Sequence, residues 1–238
     1  MKPAISARFV LVRPHNALNV GAAARAMANF GLTELAAVAP YEPRWRAAQS
    51  AIYGTDLLEK APLLTLEQAV ADCHLVVGTA SAHNRFQRRT MLTLPAFNDW
   101  LRGRLPNGGK VALLFGSEKN GLDNGEMDHC HAILRIPTVE EAPSMNLGQA
   151  VALIAYELQK IGLENSVTEP DEDLLEGRQL ETLVETVMLA MERTAVNAHM
   201  SEQVRRDRFR RGLLKWRMSR SDASWFRGLL ERLMNKQG

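Results

Sequence analysis

Residues 111–122 read VALLFGSEKNGL: five unbroken apolar residues, then a polar loop framed by Gly116 and Gly121. Five apolar residues with no polar alternation are too few for a helix and describe a strand buried on both faces. The same grammar recurs on either side. Residues 7–12 (ARFVLV) end at Arg13-Pro14, residues 35–38 end before Pro40, residues 75–78 (LVVG) run into Thr79, and residues 132–136 stop at Pro137. Between these runs the apolar spacing turns helical. It does so from an Asn19 cap through Val20 to Phe30, stopped by Gly31, and again over residues 44–60 and 66–71. It is clearest over Leu147 to Ile161, with Val151, Ile154, Ala155 and Leu158 on one face. Strands alternating with helices predict an α/β fold, a mostly parallel sheet flanked by helices. Ligands of such sheets lie beyond the carboxyl ends of the strands, which directs attention to residues 14–21, 79–90, 116–124 and 137–146.

The chain has 238 residues, 46% hydrophobic and 24% charged, which fits one sizeable domain with an appendage. No stretch approaches the ~20 consecutive apolar residues of a membrane-spanning helix. The opening MKPAISARFVLVRP is too short and too interrupted by charge for a secretory signal. Two cysteines, Cys73 and Cys130, make no disulfide framework, so a reducing cytoplasm is the expected compartment. Residues 162–173 are polar and break the pattern. A long helical pattern follows from Leu174 to about Met200, and a last amphipathic helix carrying Trp225, Phe226, Leu229, Leu230 and Leu233 starts at a Ser221 or Asp222 cap. The expected division is residues 1–162, a linker at 163–173 and a helical extension at 174–238. Net charge is only +2, but Ser201 to Arg220 holds eight Lys or Arg against two acids, shortly behind an acidic stretch from Glu164 to Glu185. Such a block suits a polyanion, or is a solvated helix surface.

Three loops carry chemistry-bearing residues. In the first, Asn19-Val20-Gly21-Ala22-Ala23-Ala24-Arg25 puts small residues where another backbone can approach, and Arg25 shares a face with Asn29. The alternative there is a packing helix with a solvated arginine. In the second, Gly116 and Gly121 allow a tight loop in which Glu118 accepts hydrogen bonds from an amine or from backbone amides, or else a plain glycine turn. In the third, Pro143-Ser144-Met145-Asn146 precedes a long helix, with Ser144 either a cap or a polar site residue. Neither glycine loop matches GxGxxG or the phosphate-cradling GxxxxGKS/T, which disfavours oxidoreductases and NTPases, and Ser144 lacks a GxSxG setting. His129, Cys130 and His131, with Cys73 and His74, have no zinc spacing, and no metal is expected.

Together and in this order, the three segments resemble the motifs of the SPOUT methyltransferases of the SpoU/TrmH branch, which are RNA 2′-O-methyltransferases. Asn19, Gly21 and Arg25 match the first motif; Phe115, Gly116, Glu118, Gly121 and Leu122 the second; Ile136, Pro137, Ser144, Asn146 and Leu147 the third. Within the branch the chain most resembles the tRNA 2′-O-methyltransferases of the TrmJ type, which act at position 32 of the anticodon loop. It departs from the pattern at His15-Asn16-Ala17-Leu18, where Pro and Gly are usual, and at Ser117, where an arginine is common. The resemblance implies a C-terminal trefoil knot at the carboxyl side of the sheet, a homodimer, and S-adenosyl-L-methionine held in the knot. It implies a catalytic set of Arg25, Ser144, Asn146 and Asn19, in which Arg25 meets the target ribose or its phosphate while Ser144 and Asn146 orient it. The implied cofactor contacts are Thr79, Ala80, Ser81, Gly116, Glu118, Ile136, Ser144, Met145, Asn146 and Leu147. The implied partner is tRNA, bound by Arg25 and by Arg205, Arg206, Arg208, Arg210, Arg211 and Lys215. Trp216 and Trp225 either stack on an unpaired base or pack in the core of the extension. The competing readings are an rRNA 2′-O-methyltransferase of the same branch and a catalytically idle RNA-binding protein on the same fold.

Overall fold

Phe9, Val10, Leu11 and Val12 are all withdrawn from solvent although their side chains alternate between the two faces of the sheet. An unbroken apolar run therefore makes an interior strand here. The computed structural model describes residues 5–41, 43–81, 89–161, 174–194, 196–197, 199–216 and 218–235. In it, β1 (Ser6–Val12) lies within a seven-stranded sheet. On one side it carries β2 (Glu34–Val38) and then β3 (Leu63–Leu64). On the other come β6 (Lys110–Phe115), β4 (Leu75–Ala80), β7 (Ala132–Arg135) and β5 (Met91–Thr93). Every strand pair is parallel, and Phe9 stands opposite both Leu35 and Leu113.

Phe9, Leu11, Leu113 and Phe115 face α1 (Ala17–Asn29), α2 (Thr55–Lys60), α4 (Leu94–Arg102) and α6 (Leu147–Ile161). Val10, Val12, Ala112 and Leu114 face α3 (Leu66–Val70) and α5 (Asn124–Met127). The parallel sheet covered by helices on both sides is thus as the sequence leads one to expect.

Several local expectations need correction. The cap of α1 is Asn16, whose side chain accepts the Leu18 N–H at 2.9 Å; Asn19 lies inside the helix. Residues 44–60 are not one helix but a 3₁₀ turn at Trp45–Ala47 and the short α2, because Gly21 and Gly54 draw the intervening chain onto α1. A Cβ on Gly54 would stand 2.7 Å from the Arg25 backbone nitrogen. β3 and β5, two and three residues long, were not expected, being too short to leave an apolar run. The break at 162–173 lies outside the described residues.

After it come α7 (Gly177–Thr194), α8 (Glu202–Trp216) and α9 (Arg220–Asn235), which share a small core of Leu183, Val184, Met188, Leu213, Leu214 and Ala223. α7 stops short of Met200, and Asn197 beyond it has a left-handed φ of 56°. The cap of α9 is neither Ser221 nor Asp222: the Ser219 hydroxyl accepts the Asp222 N–H at 3.0 Å. The extension is tied to the sheet domain by main-chain bonds from Gly177 N–H to Cys73 O and from Arg178 N–H to Ala71 O, each 2.8 Å.

The acidic and basic stretches meet each other. Arg206 pairs with Glu185, and Arg210 makes a two-pronged pair with Glu181 at 2.7 and 2.8 Å. Arg211 reaches Asp128 in the sheet domain at 2.7 Å. Arg210 is 4% exposed, so its expected place on an RNA-facing surface is corrected: it is an internal strut. Trp216 and Trp225 are 60% and 69% exposed, so core packing does not describe them. Cys73 and Cys130 are buried and unpaired; burial pushes the Cys73 thiol up to about 12 and raises Cys130 as well. Among the described residues no helix is long and apolar enough to cross a membrane, and no cluster of His, Cys, Asp and Glu is placed to hold a metal ion.

Candidate active site

The carboxyl ends of β4, β6 and β7 open into a cavity of about 460 Å³, the size of a small-ligand pocket. Its walls come from the loops singled out in the sequence. Thr79, Ala80 and Ser81 leave β4; Gly116 and Glu118 follow β6; Ile136 follows β7; and Ser144, Met145, Asn146 and Leu147 lead into α6. Asn19 closes one side, and Leu134, Ile136, Leu147 and Ala150 make an apolar wall.

The loop after β6 folds back on itself. Gly121 N–H donates to Ser117 O at 2.8 Å, Gly121 has φ +67°, and a Cβ on Gly116 would stand 2.0 Å from the Gly121 carbonyl carbon. Only glycine fits at 116, and this fold aims Glu118 at the loop between β1 and α1. The carboxylate accepts the His15 N–H at 2.8 Å, the Asn16 N–H at 3.1 Å and the Asn19 amide at 2.9 Å. Burial works to raise the Glu118 pKa, but these donors outweigh it and hold the acid below its usual range. The chain of bonds continues: the Asn146 amide donates to Asn19 Oδ1 at 2.9 Å, and Gly148 N–H donates to Asn146 Oδ1 at 2.9 Å, at the start of α6. One carboxylate and two amides thus lock three segments together through bonds that span 99 and 127 residues of sequence.

Acceptance of backbone amides by Glu118 is as the sequence leads one to expect; that His15 and Asn16 supply them, and that Asn19 adds its side-chain amide, was not foreseen. The available signal was an acidic side chain on a strand-end loop facing the free N–H groups of a helix N-terminus. Arg25 is not brought to the cavity of its own chain. It is exposed on α1, without a hydrogen-bond or ion-pair partner among the described residues. Ser144 is exposed at the cavity edge, its hydroxyl likewise without a partner among them. Thr79 Oγ1 donates inward to Leu114 O at 3.0 Å, which leaves the main chain of that loop as the group facing the cavity. The ionisable side chains lining the cavity, among the described residues, are Glu118 and Lys119. Glu118 is engaged by three donors, which makes it a poor proton acceptor. A second cavity of about 250 Å³ lies between the sheet edge and the C-terminal helices; of the expected site residues only Arg211 and Lys215 touch it.

Comparison with known proteins agrees with the geometry. The tRNA (cytidine/uridine-2′-O-)-methyltransferase TrmJ of Yersinia pestis (strain Pestoides F) is 38% identical over 172 residues, 70% of this chain and 66% of that protein. The tRNA (cytidine/uridine/adenosine-2′-O-)-methyltransferase TrmJ of Pseudomonas aeruginosa (strain UCBPP-PA14) is 37% identical over 154 residues, 64% of this chain and 60% of that protein. The matched regions therefore span less than two thirds of these curated relatives. Among solved structures, the crystal structure of TrmJ from Z. mobilis ZM4 superposes with a TM-score of 0.80 at 28% identity, covering 95% of this chain and 98% of that one. Residues 6–156, from the first strand well into α6, match the SpoU rRNA Methylase family, and the chain belongs to that family.

Proposed function

We propose that the chain is a cytoplasmic, S-adenosylmethionine-dependent methyltransferase of the ribose 2′-hydroxyl of tRNA, acting at anticodon-loop position 32. The observation that carries this reading is the hydrogen-bonded closure of Glu118, Asn19 and Asn146 around a cavity with one apolar wall and one polar lip. The donor set fits the cofactor. Leu134, Ile136, Leu147 and Ala150 suit a flat heteroaromatic ring, and the loops at Thr79–Ser81, Gly116 and Met145–Leu147 bring main-chain groups to its edges. When bound, the cofactor supplies a methyl group already activated by a positive sulfur, so no metal is needed.

The chain's own residues align the acceptor. Ser144 offers a hydroxyl to the ribose, while Asn146, held by Asn19 and by Gly148 N–H, presents a fixed amide beside it. Arg25 completes the set across a homodimer, its guanidinium serving the cavity of a second copy. Its exposure and lack of a partner support that, as do the exposed apolar residues Leu18, Leu153 and Tyr156 on the neighbouring faces of α1 and α6. A guanidinium stays protonated in proteins, so Arg25 favours the developing alkoxide by charge rather than by taking the proton. The reading includes a trefoil knot at the carboxyl side of the sheet. It divides the chain into residues 1–162, a linker at 163–173 and an RNA-binding extension at 174–238, in which the exposed Arg208 and Lys215, with Arg205, face phosphates. The TrmJ relatives support tRNA as the substrate.

The test is methyl transfer from labelled S-adenosylmethionine to purified tRNA and, separately, to rRNA, with mass-spectrometric mapping of the product. We expect ribose methylation at position 32 of tRNA. Arg25→Ala should abolish transfer while calorimetric cofactor binding stays near wild type; an Arg25→Ala enzyme of full activity removes the role. Methylation of rRNA alone overturns the substrate.

A further inference from the structure

Two loops at the carboxyl end of the sheet are clamped side by side. Arg13 N–H donates to Val38 O at 2.8 Å, and Tyr41 N–H donates to Pro14 O at 3.0 Å. Each loop contains a non-glycine residue in the left-handed region, Arg13 at φ 51° and Ala39 at φ 43°. Such conformations persist where the surroundings enforce them, and they gather at functional sites. The clamp lays the His15 imidazole against the Tyr41 ring, with centroids 4.4 Å apart and planes 26° from parallel. Tyr41 is 73% exposed and joins none of the apolar clusters of the core. One face of the ring is covered by His15, and the ring is otherwise open to solvent. Pro40 and Pro43 flank it and stiffen its backbone, so stacking there sacrifices little chain entropy.

The position of the pair ties it to the reaction cavity. His15 N–H is one of the three donors to Glu118, which lines that cavity. Lys119, the next residue, also lines it and has no ion-pair partner among the described residues. An open aromatic face therefore stands one hydrogen bond away from the cavity lining, and an unpaired cation lies on that lining. That combination suits unpaired nucleotides, whose bases offer π-faces and whose phosphates offer charge.

We propose that the stacked His15–Tyr41 pair receives an unpaired base of the substrate RNA next to the reacting nucleotide, with Lys119 holding a neighbouring phosphate. The proposal rests on the RNA-methyltransferase reading above. The probe is an anticodon stem-loop RNA carrying 2-aminopurine beside the target ribose. Wild-type protein should quench its fluorescence on binding. Tyr41→Ala should lose the quench and raise KM for the RNA about tenfold. Its kcat at saturating RNA, calorimetric cofactor affinity and Tm should remain those of wild type. Tyr41→Phe should behave as wild type, because stacking needs the ring and not the hydroxyl. Lys119→Ala should lower the salt dependence of binding by about one counterion. Wild-type affinity and quench in Tyr41→Ala overturn the platform, and so does a parallel loss of cofactor binding and Tm, which marks a structural role. If the wild-type enzyme methylates its RNA while Tyr41→Ala is unaffected, the platform alone fails. A wild-type protein that binds neither cofactor nor RNA sinks both proposals.

Discussion

Glu118 and His131 show how a single side chain can set local stability and its dependence on pH. Glu118→Gln keeps the shape but loses the charge that gathers the His15, Asn16 and Asn19 donors, so the loop between β1 and α1 should loosen. We expect a loss of about 1 kcal/mol in denaturant-derived stability at neutral pH and a larger loss in cofactor affinity read by calorimetry. The sign with pH follows from the lowered pKa. The contribution of Glu118 is present above the ordinary glutamate range and is lost as pH falls through its folded value, and the glutamine variant should lack that part of the acid sensitivity. His131 works the other way. Its half-buried ring accepts the Val76 N–H through Nδ1 at 3.0 Å, and desolvation lowers its pKa from 6.5 to about 4. Between those values the unfolded chain binds a proton that the folded chain refuses, so stability should rise from pH 4 to 6.5, by an amount of order 3 kcal/mol. His131→Asn should flatten that limb in urea titrations run across the same interval.

Among the elements, α1 and α6 are the pair on which the cavity depends. A Cβ on Gly148 would meet the Ala22 Cβ at 2.7 Å, so the helices touch almost backbone to backbone. Gly148→Leu should force them apart, lower stability by roughly 1–3 kcal/mol and weaken cofactor binding. Thermal melting and calorimetry on the same preparation would detect both. The long elements were legible because burial writes itself into sequence: β1, β4, β6 and α6 carry runs or stripes that few other structures produce. β3 and β5 were not, since two or three paired residues leave no periodicity. The segment at 44–60 misled because its spacing is helical while its glycine neighbours pull the chain onto α1. The cavity lining was legible through the three motifs. The carboxylate–amide chain that closes it was not, because local pattern says nothing about which distant loops come within 3 Å.

At the scale of the molecule, half of the six extension residues expected to meet a polyanion are paired internally. Arg206 and Arg210 answer acids of α7, and Arg211 answers Asp128. Arg210→Ala should therefore act on folding, by about 3 kcal/mol, because it strands Glu181 without its buried partner. Arg208→Ala and Lys215→Ala should leave the melting temperature alone and each reduce the salt slope of RNA binding by about one, as read in filter-binding assays. The two cysteines give the same molecule a practical property. Both sulfurs are sealed from solvent, and their acidity is suppressed so far that almost no thiolate exists at neutral pH. Maleimide dyes should pass the native chain by, so one Val204→Cys replacement on the exposed face of α8 would accept a fluorophore alone and report nucleic acid arriving at that helix, with no need to remove the natural sulfurs first.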